Sequence, residues 1–168
     1  TKIINFKVNS NLLNGTIPHE IGDLTDMEIF YMTQNCISGS VPSTIGSLIK
    51  LTDLQIDQNA LEGFVPSTIG SLSNLLNCFM YSNKLVGQLP SSLGSLTKLV
   101  SLNIAINMFT GSIPVTISNL VALTKLQVQS NRLVGTIPEG VGSLTKLVTL
   151  HINDNALHGE LPASISKL

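Results

Sequence analysis

The chain reads LTDLQIDQNALEGFVPSTIGSL over residues 51–72, and this stretch decides the fold. Its pattern of apolar residues, asparagine, glycine and proline occurs seven times with a period of 24, without one insertion or deletion, and so fills all 168 residues. Counted from the asparagine, the positions eight, five and three before it and two, six, ten and thirteen after it are apolar in every copy. Strict repetition at this period is the sequence signature of a solenoid, in which each repeat stacks on the next.

Each repeat begins with a short strand. In the third copy Leu54 and Ile56 are two residues apart, so their side chains point to the same side of an extended chain. Asp53, Gln55 and Asp57 then point to the opposite side, which we expect to be wet. The spacing therefore predicts one buried face and one exposed face for every strand.

The asparagine has the same position in every repeat, where the chain turns inward after the strand. Its amide group can both donate to and accept from main-chain groups that a buried turn leaves unpaired. Gly63 permits a backbone conformation that a Cβ would disfavour, and Pro66 ends a second extended piece before a brief helical turn. We expect a structural ladder made of Asn11, Asn35, Asn59, Asn83, Asn107, Asn131 and Asn155.

A single repeat cannot fold alone. Seven buried apolar side chains at roughly 1.5–3 kcal/mol each do not offset about 1.5 kcal/mol of ordering entropy for every residue of the repeat. Stacking is therefore required, and it predicts a parallel sheet of strands about 4.8 Å apart and roughly 29 Å wide in total. Strands on one side and bulkier turns on the other predict a curved α/β solenoid.

Composition excludes several classes of protein. The chain is 43% apolar and 11% charged, which is typical of a folded protein with an uncharged surface. A formal charge of −1 with scattered lysines does not suit nucleic acid, and the longest apolar runs are too short for a membrane span within this segment. We expect neither partner.

The pattern L-x-x-L-x-L-x-x-N-x-L-x-G-x-I-P, seen for example over residues 99–114, resembles the leucine-rich repeat of the plant type. The resemblance covers the whole chain as one array, residues 1–168. It implies a right-handed curved superhelix with a seven-stranded parallel sheet on the concave face and short 3-10 or helical turns on the convex face. It also implies a receptor-like ectodomain or an inhibitor of pectin-degrading enzymes, outside the cell or at its surface, with a protein, peptide or glycan as ligand.

The sequence departs from that family at its ends and at two internal serines, and it carries two cysteines. The cysteine-paired caps of the extracellular relatives are not visible, so we expect self-association through uncapped ends as an alternative behaviour. Cys36 and Cys78 lie two repeats apart, beyond disulfide reach, and we expect free thiols. Ser118 and Ser166 replace a glycine of the other repeats, which implies that the convex turn tolerates a Cβ there.

Variable residues on the wet face of the strands are the candidates for ligand binding, because packing does not constrain them. Aromatic residues make only 4% of the chain, yet several fall on this face together with other large apolar side chains. The candidates on the concave face are Ile29, Tyr31, Asp53, Asp57, Phe79, Tyr81, Ile106, Met108, Lys125 and His151. The alternative is that neighbouring side chains cover the apolar ones and nothing binds.

The charged candidates have modest alternatives of their own. Asp53 and Asp57, with Lys7 on the same face, could hold a cationic group, but two carboxylates are a poor metal site and we expect a solvated acidic spot. His151 lies near Asn153 and Lys125 and could make binding depend on pH.

No activated nucleophile, phosphate loop or metal-spaced set of residues accompanies these candidates, so we expect no enzyme, no metal and no cofactor. The function predicted is a non-enzymatic recognition module. The alternatives are a structural or assembly segment and, less favoured, an ice-binding or surface-binding protein, since regular uncharged Asn, Gln, Ser and Thr residues suit such a surface.

Overall fold

One strand from each repeat pairs in register with the equivalent strand of the next repeat, in a computed structural model that describes residues 2–168. The pairing is parallel throughout, with partners 24 residues apart such as Asp53 opposite Asn77. We call this seven-stranded sheet the concave sheet. Its strands are β1 (Asn5–Lys7), β3 (Ile29–Tyr31), β5 (Asp53–Gln55), β7 (Asn77–Phe79), β9 (Ser101–Asn103), β11 (Lys125–Gln127) and β13 (Thr149–His151).

A second short strand follows each bend and forms the lateral side of the solenoid. Five of these strands form one parallel sheet and the last two pair with each other. They are β2 (Asn14–Thr16), β4 (Cys36–Ser40), β6 (Ala60–Gly63), β8 (Lys84–Gln88), β10 (Met108–Thr110), β12 (Val134–Gly135) and β14 (Ala156–Leu157).

A 3-10 helix of five residues closes each repeat on the convex side. The preceding proline is extended, for example Pro42 with φ −69° and ψ 144°, and the leucine that ends the helix donates its N–H to a carbonyl of the same turn. The helices are η1 (His19–Asp23), η2 (Ser43–Ser47), η3 (Ser67–Ser71), η4 (Ser91–Ser95), η5 (Val115–Asn119), η6 (Glu139–Ser143) and η7 (Ala163–Lys167).

The apolar columns merge into one continuous core between these layers. Leu54, Cys78 and Leu102 are register partners on neighbouring strands and are at most 1% exposed. At the ends of the stack the equivalent residues Phe6 and Leu150 are only partly buried, since one neighbouring repeat covers them. The predicted fold class, an α/β solenoid with a parallel sheet of seven strands, is confirmed.

Both cysteines are free thiols in different surroundings. Cys36 is exposed at the start of β4, whereas Cys78 is fully buried in the core column. Burial away from water disfavours the thiolate and raises the pKa of Cys78 to about 12. Cys78 therefore behaves as a small apolar side chain.

The convex glycines correct the expectation drawn from Ser118 and Ser166. A Cβ at Gly94 would lie 2.5 Å from the carbonyl oxygen and 2.6 Å from the Cβ of Thr116 in the next repeat, so this turn does not tolerate a side chain in general. Ser118 fits because the next repeat carries Gly140, and a Cβ at Gly140 would lie only 2.6 Å from the Cβ of Ser118. Ser118 and Gly140 both depart from the repeat, and the missing side chain of Gly140 leaves room for that of Ser118.

Within residues 2–168 no helix combines the length and apolar character that crossing a bilayer requires. The same described residues contain no group of three or more His, Cys, Asp or Glu side chains able to hold a metal ion.

Candidate recognition surface

The bend after each concave strand positions the surface residues, and the ladder asparagines hold that bend. Asn107 is 9% exposed and its Nδ2 donates to the carbonyls of Met80 (3.0 Å), Ile104 (3.2 Å) and Ala105 (3.2 Å). Its Oδ1 accepts from the N–H of Leu85 in the previous repeat, at 3.0 Å. One side chain therefore joins two successive repeats through main-chain groups.

The residue immediately before each ladder asparagine adopts a left-handed backbone conformation. The φ angle at these seven positions lies between 52° and 58°. This conformation turns the chain from the concave sheet towards the lateral side and marks the rim between the two. The rim residues are Ser10, Gln34, Gln58, Ser82, Ile106, Ser130 and Asp154.

Three aromatic side chains lie on the concave face across the second to fourth repeats. Tyr31 ends β3 and Phe79 ends β7, and both are register neighbours of Gln55 on the strand between them. Tyr81 follows Phe79 two residues later, on the same face. All three aromatic residues are half-buried, so part of each ring faces solvent.

Burial and two neighbouring charged groups determine the chemistry of Tyr31. Desolvation first, and then the neighbouring carboxylate of Asp53, raise the pKa of the Tyr31 hydroxyl above its usual value. The Nζ of Lys7 lies 5.0 Å from the centroid of the Tyr31 ring, within cation–π range. Tyr31 therefore stays neutral and can present either its ring or its hydroxyl.

The two carboxylates predicted as a solvated acidic spot differ from each other. Asp53 is partly exposed and accepts hydrogen bonds from Thr52 Oγ1 (2.8 Å) and Asn77 Nδ2 (2.7 Å). Asp57 is only 2% exposed, so the prediction of a solvated group is wrong for it. Its Oδ1 accepts a 3.0 Å hydrogen bond from Thr33 Oγ1.

Burial dominates the titration of Asp57. Desolvation raises its pKa above the usual value of 3.8, and hydrogen bonds from Thr33 and Tyr81 lower it in part. Desolvation is also the main cause of a raised pKa at Tyr81, with the charge of Asp57 second. The carboxylate thus acts beneath the surface, where it links residues of three successive repeats.

The remaining candidates do not all lie on the concave face. Ile29 and Lys125 begin strands of the concave sheet, and His151 ends the last one with its Nδ1 3.4 Å from Gln127 Nε2. Ile106 lies on the rim and is 54% exposed. The prediction that Met108 lies on the concave face is wrong, because Met108 begins β10 in the lateral sheet.

Two polar residues at this surface were not among the candidates. Thr33 and Asn77 each donate to a carboxylate one repeat away in sequence, Thr33 to Asp57 and Asn77 to Asp53. A comparison of residues separated by 24 positions could have indicated both pairs. The period-two pattern alone could not, because it assigns a face to each residue and no partner.

The chain is similar to known proteins in both sequence and structure. The family model described as Leucine Rich Repeat matches residues 122–144 and 146–168. No curated protein sequence matches the chain. Three of the similar solved structures are plant-type receptors, and each aligns over almost the whole of this chain.

The structure described as a TDR receptor is 34% identical to this chain, covers 96% of it and aligns with a TM-score of 0.94. The structure of PEPR1-AtPEP1 is also 34% identical, covers 99% of the chain and has a TM-score of 0.98. The ectodomain of the Arabidopsis receptor kinase HAESA, solved in complex with an IDA peptide hormone, is 30% identical, covers 96% and has a TM-score of 0.90. This chain spans 28%, 24% and 28% of those three chains, respectively.

The fold, the ladder and these comparisons define a class of protein, the solenoids built from stacked leucine-rich repeats. The chain belongs to the leucine-rich repeat proteins, with repeats of the plant type. It spans about a quarter of the length of these three similar chains.

Proposed function

We propose that this chain is a non-enzymatic recognition module that binds a peptide along its concave face, outside the cell. The observation that carries the proposal is the half-buried aromatic group of Tyr31, Phe79 and Tyr81. Tyr31 ends β3, Phe79 ends β7 and Tyr81 follows two residues later, with β5 between these two strands. Such large and stiff side chains anchor interfaces because little conformational entropy is lost when they are ordered.

The dimensions of the face suit an extended peptide. A sheet of seven strands is roughly 29 Å wide, and an extended chain rises about 3.3 Å per residue, so about nine peptide residues would cross all repeats. The similar ectodomain of HAESA is solved with a peptide hormone, which supports a peptide over other ligands. The resemblance seen in the sequence also implies a glycan, which is the second class of ligand to test.

The surface also offers polar groups for the main chain of such a peptide. Asn103 and Gln127 continue the column of Tyr31 and Phe79 into the later repeats and are partly exposed. Their amides can donate to and accept from peptide groups. Aromatic anchors at one end and amides at the other would give a bound peptide a preferred direction.

The experiment is a selection of random peptides of about ten residues, displayed on phage, against the immobilised folded chain. Peptides enriched on the wild type are then tested against the Y31A/F79A double variant by surface plasmon resonance. Truncation of hot-spot aromatics costs about 2 kcal/mol or more, so we expect affinity to fall at least about thirtyfold.

Val115 provides the matched control, because it is 73% exposed on the convex helix η5 and its replacement by serine should leave affinity unchanged. Enriched peptides that bind Y31A/F79A as tightly as the wild type would show that the aromatic group is not the site. A selection that enriches no peptide, together with concentration-dependent association of the chain alone, would support the assembly role instead.

A further inference from the structure

Ile106 occupies a rim position that its side chain does not favour. Its φ angle is 54°, and it is the only β-branched residue among the seven rim positions, where the other repeats carry serine, glutamine or aspartate. A β-branched side chain clashes with its own backbone in the left-handed region. Such outliers persist only where the surroundings fix the conformation, and they concentrate at functional sites.

Hydrogen bonds from both neighbouring repeats prevent relaxation of this strain. The N–H of Ile106 donates to the carbonyl of Gln129 at 3.0 Å, and its carbonyl accepts from the N–H of Asn83 at 3.2 Å. The same pair of contacts is formed by Gln34, Gln58, Ser82 and Ser130. The repeat therefore imposes the backbone conformation on whichever residue stands there.

Packing within the chain does not account for the isoleucine. Its side chain is 54% exposed, so about half of the possible gain from burying it is absent. Its equivalents in the neighbouring repeats are Ser82 and Ser130, which tolerate the turn better and expose no apolar group. Ile106 therefore has both a strained backbone and a solvent-exposed apolar side chain, which indicates that the side chain contacts a molecule outside the chain.

Other apolar residues extend this position onto the lateral sheet. Met108 follows two residues later and is half-buried, and Val86 is its register partner on β8. We call Ile106, Met108 and Val86 the rim patch. Met108 and Val86 line a shallow depression in the lateral sheet together with Glu62, Gly63 and Lys84.

Two cations flank the rim patch. Lys84 and Arg132 occupy the position of Met108 in the previous and the following repeat, and both are exposed. Glu62 is the register partner of Lys84, but no ion pair among residues 2–168 includes Lys84 or Arg132. Lys and Arg also outnumber Asp and Glu by six to three within residues 73–168.

From this arrangement we infer that the rim patch binds an apolar side chain that is flanked by carboxylates, as in an acidic peptide segment. The apolar side chain contacts Ile106 and Met108, and the carboxylates pair with Lys84 and Arg132. The inference rests on the proposed peptide-binding function and adds the chemistry of the ligand. It also places part of the bound peptide at the edge of the concave face rather than at its centre.

The same peptide selection tests the inference. Enriched peptides should contain Asp or Glu next to a large apolar residue. The I106S variant should bind them at least about tenfold more weakly, and the K84Q/R132Q variant should bind them more weakly with a smaller dependence on salt.

The I106S variant also gives a readout that needs no ligand. Because serine relieves the backbone strain, its thermal midpoint should rise by about 2–4 °C or more. The V115S variant makes nearly the same chemical change at an exposed residue of η5 and should change neither the midpoint nor the affinity.

The outcomes separate the two proposals. An unchanged midpoint for I106S would show that Ile106 is not strained. Enriched peptides that bind I106S and K84Q/R132Q normally but fail to bind Y31A/F79A would overturn the rim patch and leave the proposed function intact. A selection without enriched peptides would overturn both.

Discussion

Replacement of Asn107 by alanine tests the ladder at the centre of the stack, and its cost can be worked out from individual hydrogen bonds. The N–H of Leu85 has the Oδ1 of Asn107 as its partner and lies in the core side of the bend, so it is left buried and unpaired. An orphaned buried donor costs about 1–3 kcal/mol. This is the largest single loss.

The three carbonyls that accept from Asn107 are affected less. The carbonyl of Met80 also accepts from Asn83 Nδ2, and that of Ile104 also accepts from Asn131 Nδ2. The carbonyl of Ala105 accepts in addition from a main-chain N–H. Their weakened bonding adds about 1 kcal/mol, so we expect the free energy of unfolding to fall by about 2–4 kcal/mol in total.

Asn11 supplies the matched control at the end of the stack. Its Nδ2 donates to the carbonyls of Val8 and Asn9, and the residue is exposed. The carbonyl of Val8 also accepts from Asn35. We therefore expect Asn11→Ala to cost less than about 1 kcal/mol.

Urea unfolding followed by circular dichroism measures both variants. With a slope of about 2–3 kcal/mol per molar urea, Asn107→Ala should lower the midpoint by roughly 1 M and Asn11→Ala by a fraction of that. Equal shifts for the two variants would refute the reasoning, because they would mean that the orphaned donor in the centre has no special cost. The slope should be compared as well, since a change in slope indicates partial unfolding of the array.

Three further predictions concern other parts of the structure. The pKa of Asp57 is raised in the folded chain, whereas in the unfolded chain it is near 3.8, so between these two pKa values the folded chain holds a proton that the unfolded chain has released. The contribution of this proton to the free energy of unfolding is therefore greatest below pH 3.8 and falls as the pH rises through the folded pKa. Asp57→Asn should consequently lose less stability than the wild type as the pH rises from 3.8 through the folded pKa of Asp57, measured in urea titrations, and parallel profiles would contradict this. A thiol reagent should label Cys36 in the folded chain and Cys78 only after denaturation, as followed by intact mass, and rapid labelling of both would show that the core opens. Gly140→Thr should destabilise the chain by about 1–3 kcal/mol through contact with Ser118, and the S118G/G140T double variant should recover most of the loss; no recovery would refute the compensation.

Periodicity predicted the parts of the fold that every repeat shares. Leu54 and Ile56 fall on the buried side of β5 because two-residue spacing fixes the side to which a strand residue points. The seven-stranded sheet follows from stacking, since one repeat cannot bury its apolar side chains alone.

Periodicity could not predict properties that depend on the side chains of neighbouring repeats. Asp57 was assigned correctly to the side opposite Ile56, yet it is buried there because Thr33 and Tyr81 lie against it. Met108 was misplaced because the left-handed residue before the ladder asparagine ends the alternation, so the next residue belongs to another sheet. A pattern along one strand contains neither kind of information.

Departures from the repeat are therefore informative only when their neighbours are considered too. Ser118 departs from the glycine column, but Gly140 in the next repeat makes the space it needs, and the pair is explained within the fold. Ile106 departs from a column of polar residues, its backbone keeps the left-handed conformation, and its side chain stays 54% exposed. A substitution that the next repeat accommodates preserves the stack. A substitution that nothing accommodates lowers the stability of the free chain and adds no packing in exchange. In the proposed complex a bound peptide buries the Ile106 side chain and supplies the missing packing. This is why Ile106 distinguishes a binding rim from an ordinary turn.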